Sequence, residues 1–493
     1  MGMRGGEQVL AGLRDDRELW CEGARVTDVT RDVRFAGGAQ TLAELYDIQC
    51  DPEIAEKMSY PSPATGEAVG LSFIEPRTQT DLTRRRHMIK RWNDHCLGMY
   101  PRSPDFLNAT MAAYASGAEA FGEFSGNVRA FYEAARDGDL VMTHSLTDPQ
   151  VDRSTDVTRQ AKDIALQAVG ETDRGIKVKG ARMLATLAAF ADEILVMPAP
   201  ALSLPETEAA KPYAIGFVVP AATPGLRLMA RPPLYHGEGS PLDHPLAARF
   251  DDNDCMVVFD NVEVPWERVF IHRDIQTFNS IYPKTGAVNH MGHQFCIKDL
   301  SKMEFMMALG FALADATKVD AHQHVRGMLA EFITTVEFVK SCVLACEIQA
   351  TEGPEGTLIP ATGPVMSVRL MFPDLYRRAC EIIQNTAAGG LYMVPSFADV
   401  VGPMAEDVER YDEAVNVDAR MRVKLFRLAH DAAVSTFAGR QILYERYFAL
   451  DPVRSAERLY MQFDKAPQVE RIRDLLEGME ARMRDGDEGP AFG

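Results

Sequence analysis

The hydrophobic period of this 493-residue chain changes twice, and those two changes constrain its fold more than any single motif. Up to about residue 145 the apolar residues recur mostly at helical spacing, as at Leu42, Leu45, Tyr46 and Ile48. The stretch Leu82-Thr-Arg-Arg-Arg-His-Met-Ile-Lys-Arg-Trp92 reads as a second helix, with its cationic cluster on a solvated face. From about 146 to 280 the pattern shortens. Ile176-Lys-Val-Lys-Gly-Ala-Arg182 alternates like a half-buried strand, and Ile194-Leu-Val-Met197, Ile215-Gly-Phe-Val-Val219 and Met256-Val-Val-Phe259 are short β-rich runs. Pro and Gly punctuate them, at Pro198 to Pro205 and Pro220 to Pro233. From about 281 the helical period returns, with Met303, Met306, Met307 and Leu309 on one helix. Leu329, Phe332, Ile333, Val336, Val343 and Cys346 mark one face of another. The expected class is therefore α+β: a helical region over 1–145, an antiparallel, barrel-like β domain over 146–280, and a helical bundle over 281–493.

No internal repeat is visible. Gly389-Gly390 follows a helical segment and lacks the strand–turn–helix setting of a dinucleotide-binding loop. A net charge of -19 argues against nucleic-acid or anionic-membrane partners, which need basic patches. Met1-Gly-Met-Arg-Gly-Gly carries no secretory apolar region, and no run approaches the ~20 residues of a membrane span. The eight cysteines are scattered and form no disulfide framework, so a cytoplasmic location is expected. Cys342 and Cys346 share a helix face and read as core packing rather than as metal ligands.

Two turn-rich segments interrupt the helical region near its end: Pro101-Arg-Ser-Pro-Asp-Phe-Leu-Asn108 and Thr143-His-Ser-Leu-Thr-Asp-Pro-Gln-Val-Asp-Arg-Ser154. Such segments are where functional side chains are most often displayed. Arg102 offers a rigid fork for an oxyanion, His144 donates or accepts near neutral pH, and Gln150 does both. Together these groups suit a phenol or phenolate. Read as turn chemistry alone, the same residues are solvated or capping side chains, and residue types do not separate the two readings.

Both segments resemble the active-site segments of the 4-hydroxyphenylacetate 3-monooxygenase family, the large oxygenase components of two-component flavin systems. Two more stretches agree in order: His244 to Phe270, containing Arg-Phe-Asp-Asp-Asn-Asp-Cys-Met-Val-Val-Phe-Asp-Asn-Val-Glu-Val-Pro-Trp, and Phe437-Ala-Gly-Arg-Gln-Ile-Leu-Tyr-Glu-Arg-Tyr-Phe-Ala-Leu-Asp-Pro-Val-Arg454. The resemblance runs from about Leu13 to about Arg473. It implies an acyl-CoA dehydrogenase-like fold and a homotetramer built through the C-terminal helices. It further implies FAD, delivered reduced (FADH2) by a separate NAD(P)H:flavin reductase, and O2 as oxidant. A flavin C4a-hydroperoxide then hydroxylates a phenol, usually ortho to its hydroxyl. The enzyme would serve aromatic catabolism or natural-product synthesis.

Carried over by position, the resemblance makes Arg102 and His144 the catalytic pair at the phenol oxygen. Phe106, Gln150 and Arg440 fall at substrate-side positions, and Gln150, Arg153, Ser154 and Thr186 fall in segments lining the flavin. Arg440 reads equally as one half of a surface ion pair on its helix. Members acting on 4-hydroxyphenylacetate place a tyrosine where this chain has Phe106, which keeps the ring and loses a hydroxyl donor. That departure points to another phenol, a hydroxylated heteroaromatic or a carrier-bound aromatic.

Other polar features receive plainer readings. His290 and His293 are either a gate on the substrate or core histidines satisfied by backbone carbonyls. Asp251-Asp-Asn-Asp254 reads as a solvated turn, without the spaced ligands of a calcium loop. Trp266 reads as a β-domain core anchor. Only Cys96 and Cys296 fall where the related 4-hydroxybutyryl-CoA dehydratases hold an iron–sulfur cluster, and Trp92 occupies a further position, so no metal is expected. Two alternatives of other classes stand beside the oxygenase: a dehydrogenase or isomerase flavoprotein acting on an acyl thioester, and a non-catalytic binding protein of the same fold.

Overall fold

The computed structural model describes residues 2–149, 151–152, 154–160, 164–200, 202–448 and 452–484. Its N-terminal part is built on the helices Ala36–Cys50, Gln79–His95, Asp105–Ser116 and Ser125–Asp137. Gln79–His95 starts where its sequence dictates: the Thr78 side chain accepts from the Asp81 N–H, and the Asp81 carboxylate returns to the Thr78 N–H. Leu82, Met88, Ile89 and Trp92 bury one face of it. Arg85 lies on that same face and is fully buried, so the cationic cluster is not wholly solvated as its composition suggests. Spacing decides this: Arg85 stands three, four and seven residues before Met88, Ile89 and Trp92.

Two sheets occupy the middle. The larger runs, edge to edge, Ala24–Val26, Glu18–Cys21, Leu226–Ala230, Asp254–Pro265, Gly175–Thr186 and Gln167–Thr172. The smaller runs Val269–His272, Ile215–Pro220, Glu193–Val196 and Met142–Ser145. All four β-rich runs read from sequence lie in these strands. Five strands come from the helical stretch before residue 146: Glu18–Cys21, Ala24–Val26 and Met142–Ser145 join these sheets, and Ser59–Pro61 pairs with Ala68–Gly70. They are too short to show a period. Two ladders are parallel, Glu18–Cys21 on Leu226–Ala230 and Met142–Ser145 on Glu193–Val196, and the other ladders of the two sheets are antiparallel. Phe217 and Phe259 meet edge to face between the sheets, with ring centroids 5.7 Å apart. Trp266 is only half-buried; it stacks on Phe124, and its Nε1 donates to the Thr172 carbonyl at 3.1 Å.

From Ile275 the chain is helical again. The long helices Ala287–Thr317, Gln323–Ile348 and Thr362–Ala387 pack on one another, and Ala419–Ala433 and Thr436–Tyr447 lie against the last of them. Leu329, Phe332, Val336, Val343 and Cys346 face the core as their spacing predicts, while Ile333 is half exposed. Helices, then sheets, then a helical bundle is the order of the acyl-CoA dehydrogenase-like fold. Helix Asp105–Ser116, buried along its whole length, lies against Ala287–Thr317 and carries the first turn-rich segment into the middle of the molecule.

Candidate active site

Arg102 and Phe106 flank the start of helix Asp105–Ser116, four residues apart, so their side chains meet. The guanidinium carbon of Arg102 stands 4.1 Å from the Phe106 ring centroid. The residue is almost fully buried, and its Nε and Nη1 have no hydrogen-bond partner. A buried cation with two unused donors is costly to maintain unless a polar or anionic group meets it. These two donors are open to a polar or anionic partner.

His144 comes from a different element, the strand Met142–Ser145, and closes the same corner. Its ring meets Phe106 edge to face, 5.5 Å between centroids and 88° between planes. Burial, and secondarily the charge of Arg102, hold the His144 imidazole well below its ordinary value of 6.5. It is therefore neutral at neutral pH, with one ring nitrogen able to donate and the other to accept. The Thr143 hydroxyl donates to the Thr186 carbonyl, which ties this strand to the end of Gly175–Thr186. Arg182, on that second strand, pairs with Asp148 at 2.8 Å and donates to the Leu146 carbonyl at 3.2 Å. Both strands thus hold the start of the second turn-rich segment in place.

Thr186 is buried, and its hydroxyl donates to Asp254 Oδ1 at 2.7 Å. Ser154 is exposed; its hydroxyl and N–H both donate to Asp152, at 2.7 and 2.9 Å. Gln150 and Arg153, both expected at the flavin, lie outside the described residues.

Arg440 is not half of a surface ion pair: it is largely buried, and its Nη1 has no hydrogen-bond partner. Its guanidinium pairs with Asp254 at 2.9 Å and with Asp252 at 2.9 Å, buried on both sides. Asp251 and Asp254 also pair with Arg231, at 2.5 and 2.8 Å. The Asp251–Asp254 run is therefore an interior charge network, where its composition suggested a solvated turn. Of the arginines that draw it inward, Arg231 lies about twenty residues before it and Arg440 far beyond it in sequence. The two cations hold the Asp254 carboxyl well below the usual carboxylate range despite its burial, while burial dominates at Asp252 and pushes it up.

His290 and His293 do not bind backbone carbonyls. Arg85 Nη2 lies 3.0 Å from His290 Nδ1 and 3.2 Å from His293 Nδ1, and His293 Nε2 lies 2.8 Å from Glu347 Oε1. Burial pushes His293 down to about 4. One helical turn on, Gln294 donates to Asp105 at 2.8 Å, which links this cluster to the Asp105–Ser116 helix. Among the described residues no group of three His, Cys, Asp or Glu side chains is arranged to hold a metal ion.

Sequence reasoning missed a further layer of residues behind Arg102. Tyr444 and Phe448 stack at 4.8 Å and 4°, and four cations surround the pair. Arg102 and Lys298 approach both rings, Arg440 approaches Tyr444, and Arg369 approaches Phe448. Glu445 binds Lys298 at 2.6 Å and also Lys302, all three fully buried. The available signal was the Arg-Gln-Ile-Leu-Tyr-Glu run, which puts Arg440, Gln441, Tyr444 and Glu445 on adjoining helix positions.

Known proteins resemble the chain along nearly its whole length. The family model described as 4-hydroxyphenylacetate 3-hydroxylase N terminal matches residues 5–271, and the model of its C terminal matches residues 278–477. The 4-hydroxyphenylacetate 3-monooxygenase oxygenase component of Thermus thermophilus is 41% identical over 477 residues, covering 97% of this chain and 98% of that protein. A crystal structure of such an oxygenase component, complexed with FAD and 4-hydroxyphenylacetate, superposes with a TM-score of 0.93 at 40% identity, covering 97% of this chain and 100% of the other. An archaeal 4-hydroxybutyryl-CoA dehydratase shares the fold, with a TM-score of 0.86 at 19% identity and coverage of 100% and 96%. With its two halves matched by the two models and its length by the relatives, the chain belongs to the 4-hydroxyphenylacetate 3-hydroxylase family.

Proposed function

We propose that this chain is the oxygenase component of a two-component aromatic monooxygenase. It inserts one atom of O2 into a phenol, ortho to the hydroxyl, and the other atom leaves as water as reduced FAD becomes FAD. A separate NAD(P)H:flavin reductase delivers the reduced FAD. The observation that carries this reading is Arg102: a buried guanidinium with two unused donors, beside an aromatic ring and a neutral imidazole.

Bound reduced FAD and O2 supply the oxidising chemistry, and the protein's residues prepare the ring for it. Arg102 stabilises negative charge on the phenol oxygen, which makes the ortho carbon more electron-rich. Neutral His144 accepts the hydrogen bond of the phenol hydroxyl and takes its proton as charge builds there. Phe106 covers one side and excludes water. Thr186 and Ser154, with Gln150 and Arg153, would hold the flavin. Arg440 is braced by Asp252 and Asp254, and its unpaired Nη1 is the atom it offers on the substrate side. The substrate is a phenol of small or carrier-linked type, and Phe106 favours one other than 4-hydroxyphenylacetate.

A homotetramer joined through the C-terminal helices fits the exposed apolar side chains Val469, Ile472, Leu475, Leu476 and Met479 on helix Ala466–Arg484. Eight free cysteines and the acidic balance suit the cytoplasm. Among the described residues no helix is long and apolar enough to cross a membrane.

The test supplies FADH2, O2 and a panel of phenols to the purified protein and analyses products. A catechol formed in step with FADH2 consumption supports the proposal. Oxidation of FADH2 to peroxide alone with every phenol, together with dye reduction by an acyl thioester, would overturn it.

A further inference from the structure

Residues 96–104 join helices Gln79–His95 and Asp105–Ser116; their backbone turn bonds reach only to Met99, whose N–H donates to the Cys96 carbonyl at 2.8 Å, and Leu97 and Gly98 both have positive φ, 57° and 64°. The position of Arg102 therefore depends on what holds this segment from outside. Gly98 packs so closely on helix Ala287–Thr317 that a Cβ there would stand 2.6 Å from the Lys302 nitrogen. Helix Thr436–Tyr447 grips the next residues. Gln441 Nε2 donates to the Met99 carbonyl at 2.9 Å, and the Tyr444 hydroxyl donates to the Pro101 carbonyl at 3.5 Å. From the opposite side the Arg102 N–H donates to Asp252 Oδ2 at 3.3 Å.

The orientation of Gln441 is itself determined. Lys302 Nζ donates to its Oε1 at 2.8 Å, which leaves the amide nitrogen facing Met99. Lys302 is in turn neutralised by Glu445, one turn along the same helix. All these groups are buried, so the hydrogen bonds are little screened; the Gln441 bonds at 2.8 and 2.9 Å are the short ones, and the Tyr444 bond is long.

We infer that Gln441 is a positioning residue for Arg102: its amide, oriented by Lys302, fixes the Met99–Arg102 backbone so that the free edge of the guanidinium meets the phenol oxygen. The inference rests on the reading of Arg102 as the phenolate-binding group.

Ionisation of a bound chromophoric phenol tests it. The ligand 3-nitro-4-hydroxyphenylacetate is titrated into protein loaded with oxidised FAD, and its nitrophenolate band is followed as a difference spectrum across pH. Wild type is expected to lower the pKa of the bound phenol, and Arg102→Ala to abolish that shift. Gln441→Met keeps the volume and loses the amide. It is expected to weaken ionisation about tenfold, one pKa unit, with a thermal midpoint showing the protein still folded. Tyr444→Phe removes only the hydroxyl on Pro101 and is the milder variant, expected to give a smaller weakening in the same direction. If Gln441→Met and Tyr444→Phe ionise the ligand as wild type does while Arg102→Ala does not, the positioning role is wrong and the oxygenase reading stands. If Gln441→Met is unfolded, Tyr444→Phe alone decides by the same criterion. A wild type that binds the ligand without ionising it overturns the role of Arg102, and the inference with it.

Discussion

The guanidinium of Arg102 lies 4.1 Å over the ring of Phe106, and the same ring meets His144 edge-on at 5.5 Å. One phenylalanine thus fixes the spacing between a permanent cation and a neutral imidazole. On the function we propose, a phenol oxygen entering this corner meets a charge that stabilises phenolate and a base that receives its proton. The consequences are testable residue by residue.

Arg102→Ala is expected to lower kcat/KM for hydroxylation by about 10²–10³-fold, the scale of losing an oriented donor to developing negative charge. Arg102→Lys should recover only part, because a point charge cannot present the same fork. Steady-state product formation, with FADH2 consumption measured in parallel, checks both.

The folded-state pKa of His144 lies well below 6.5, so the ring takes up its proton only at a pH well under that of a free histidine. Activity should accordingly be flat from about pH 6 to 8 with respect to this group, with any acid limb falling lower. A kcat/KM limb near pH 6.5 that disappears in His144→Asn would show the ring to be charged where we describe it as neutral. His144→Asn itself should cost about 10²-fold.

Phe106→Tyr adds the hydroxyl donor that the resemblance read from the sequence implies for enzymes acting on 4-hydroxyphenylacetate. Relative kcat/KM should move toward that substrate by about tenfold against other phenols, because a buried donor discriminates by whether it is satisfied. Competition between two phenols in one reaction measures the ratio directly.

Glu445 is the carboxylate shared by Lys298 and Lys302, and burial pushes Lys302 down to about 8. Glu445→Ala leaves two buried ammonium groups without their common partner, and stability is expected to fall by about 3–5 kcal/mol. The loss should be greatest at neutral and acid pH and ease at alkaline pH, where Lys302 is neutral. Urea unfolding at pH 7 and pH 9 checks the magnitude and the sign.

Much of this arrangement was legible in the sequence, for physical reasons. Helices and most long strands announce themselves by period, and Pro101 to Pro104 mark the turn that carries Arg102 up to the helix holding Phe106. Met142–Ser145 was not legible, because a four-residue strand has no period and exists only through its ladder with Glu193–Val196. The inward turn of Asp251–Asp254 and the grip of Gln441 on Met99 were hidden for a stronger reason. They are made by partners far away in the chain: 186 residues separate Arg440 from Asp254, and 342 separate Gln441 from Met99. Composition near Asp252 reads as a turn because nothing local reveals the cations that will meet it. The two aspartates that brace Arg440 were hidden in the same way, since neither is near it in sequence.

The most direct measurement of the central claim is a rapid-mixing experiment in which protein premixed with FADH2 meets oxygenated buffer, with and without a phenol. Flavin absorbance is followed in time and the products are recovered. We predict that the protein alters the course of flavin reoxidation, that a phenol alters it further, and that a hydroxylated product appears in proportion. Reoxidation at the rate of free FADH2, unchanged by any phenol and yielding only hydrogen peroxide, would contradict the account.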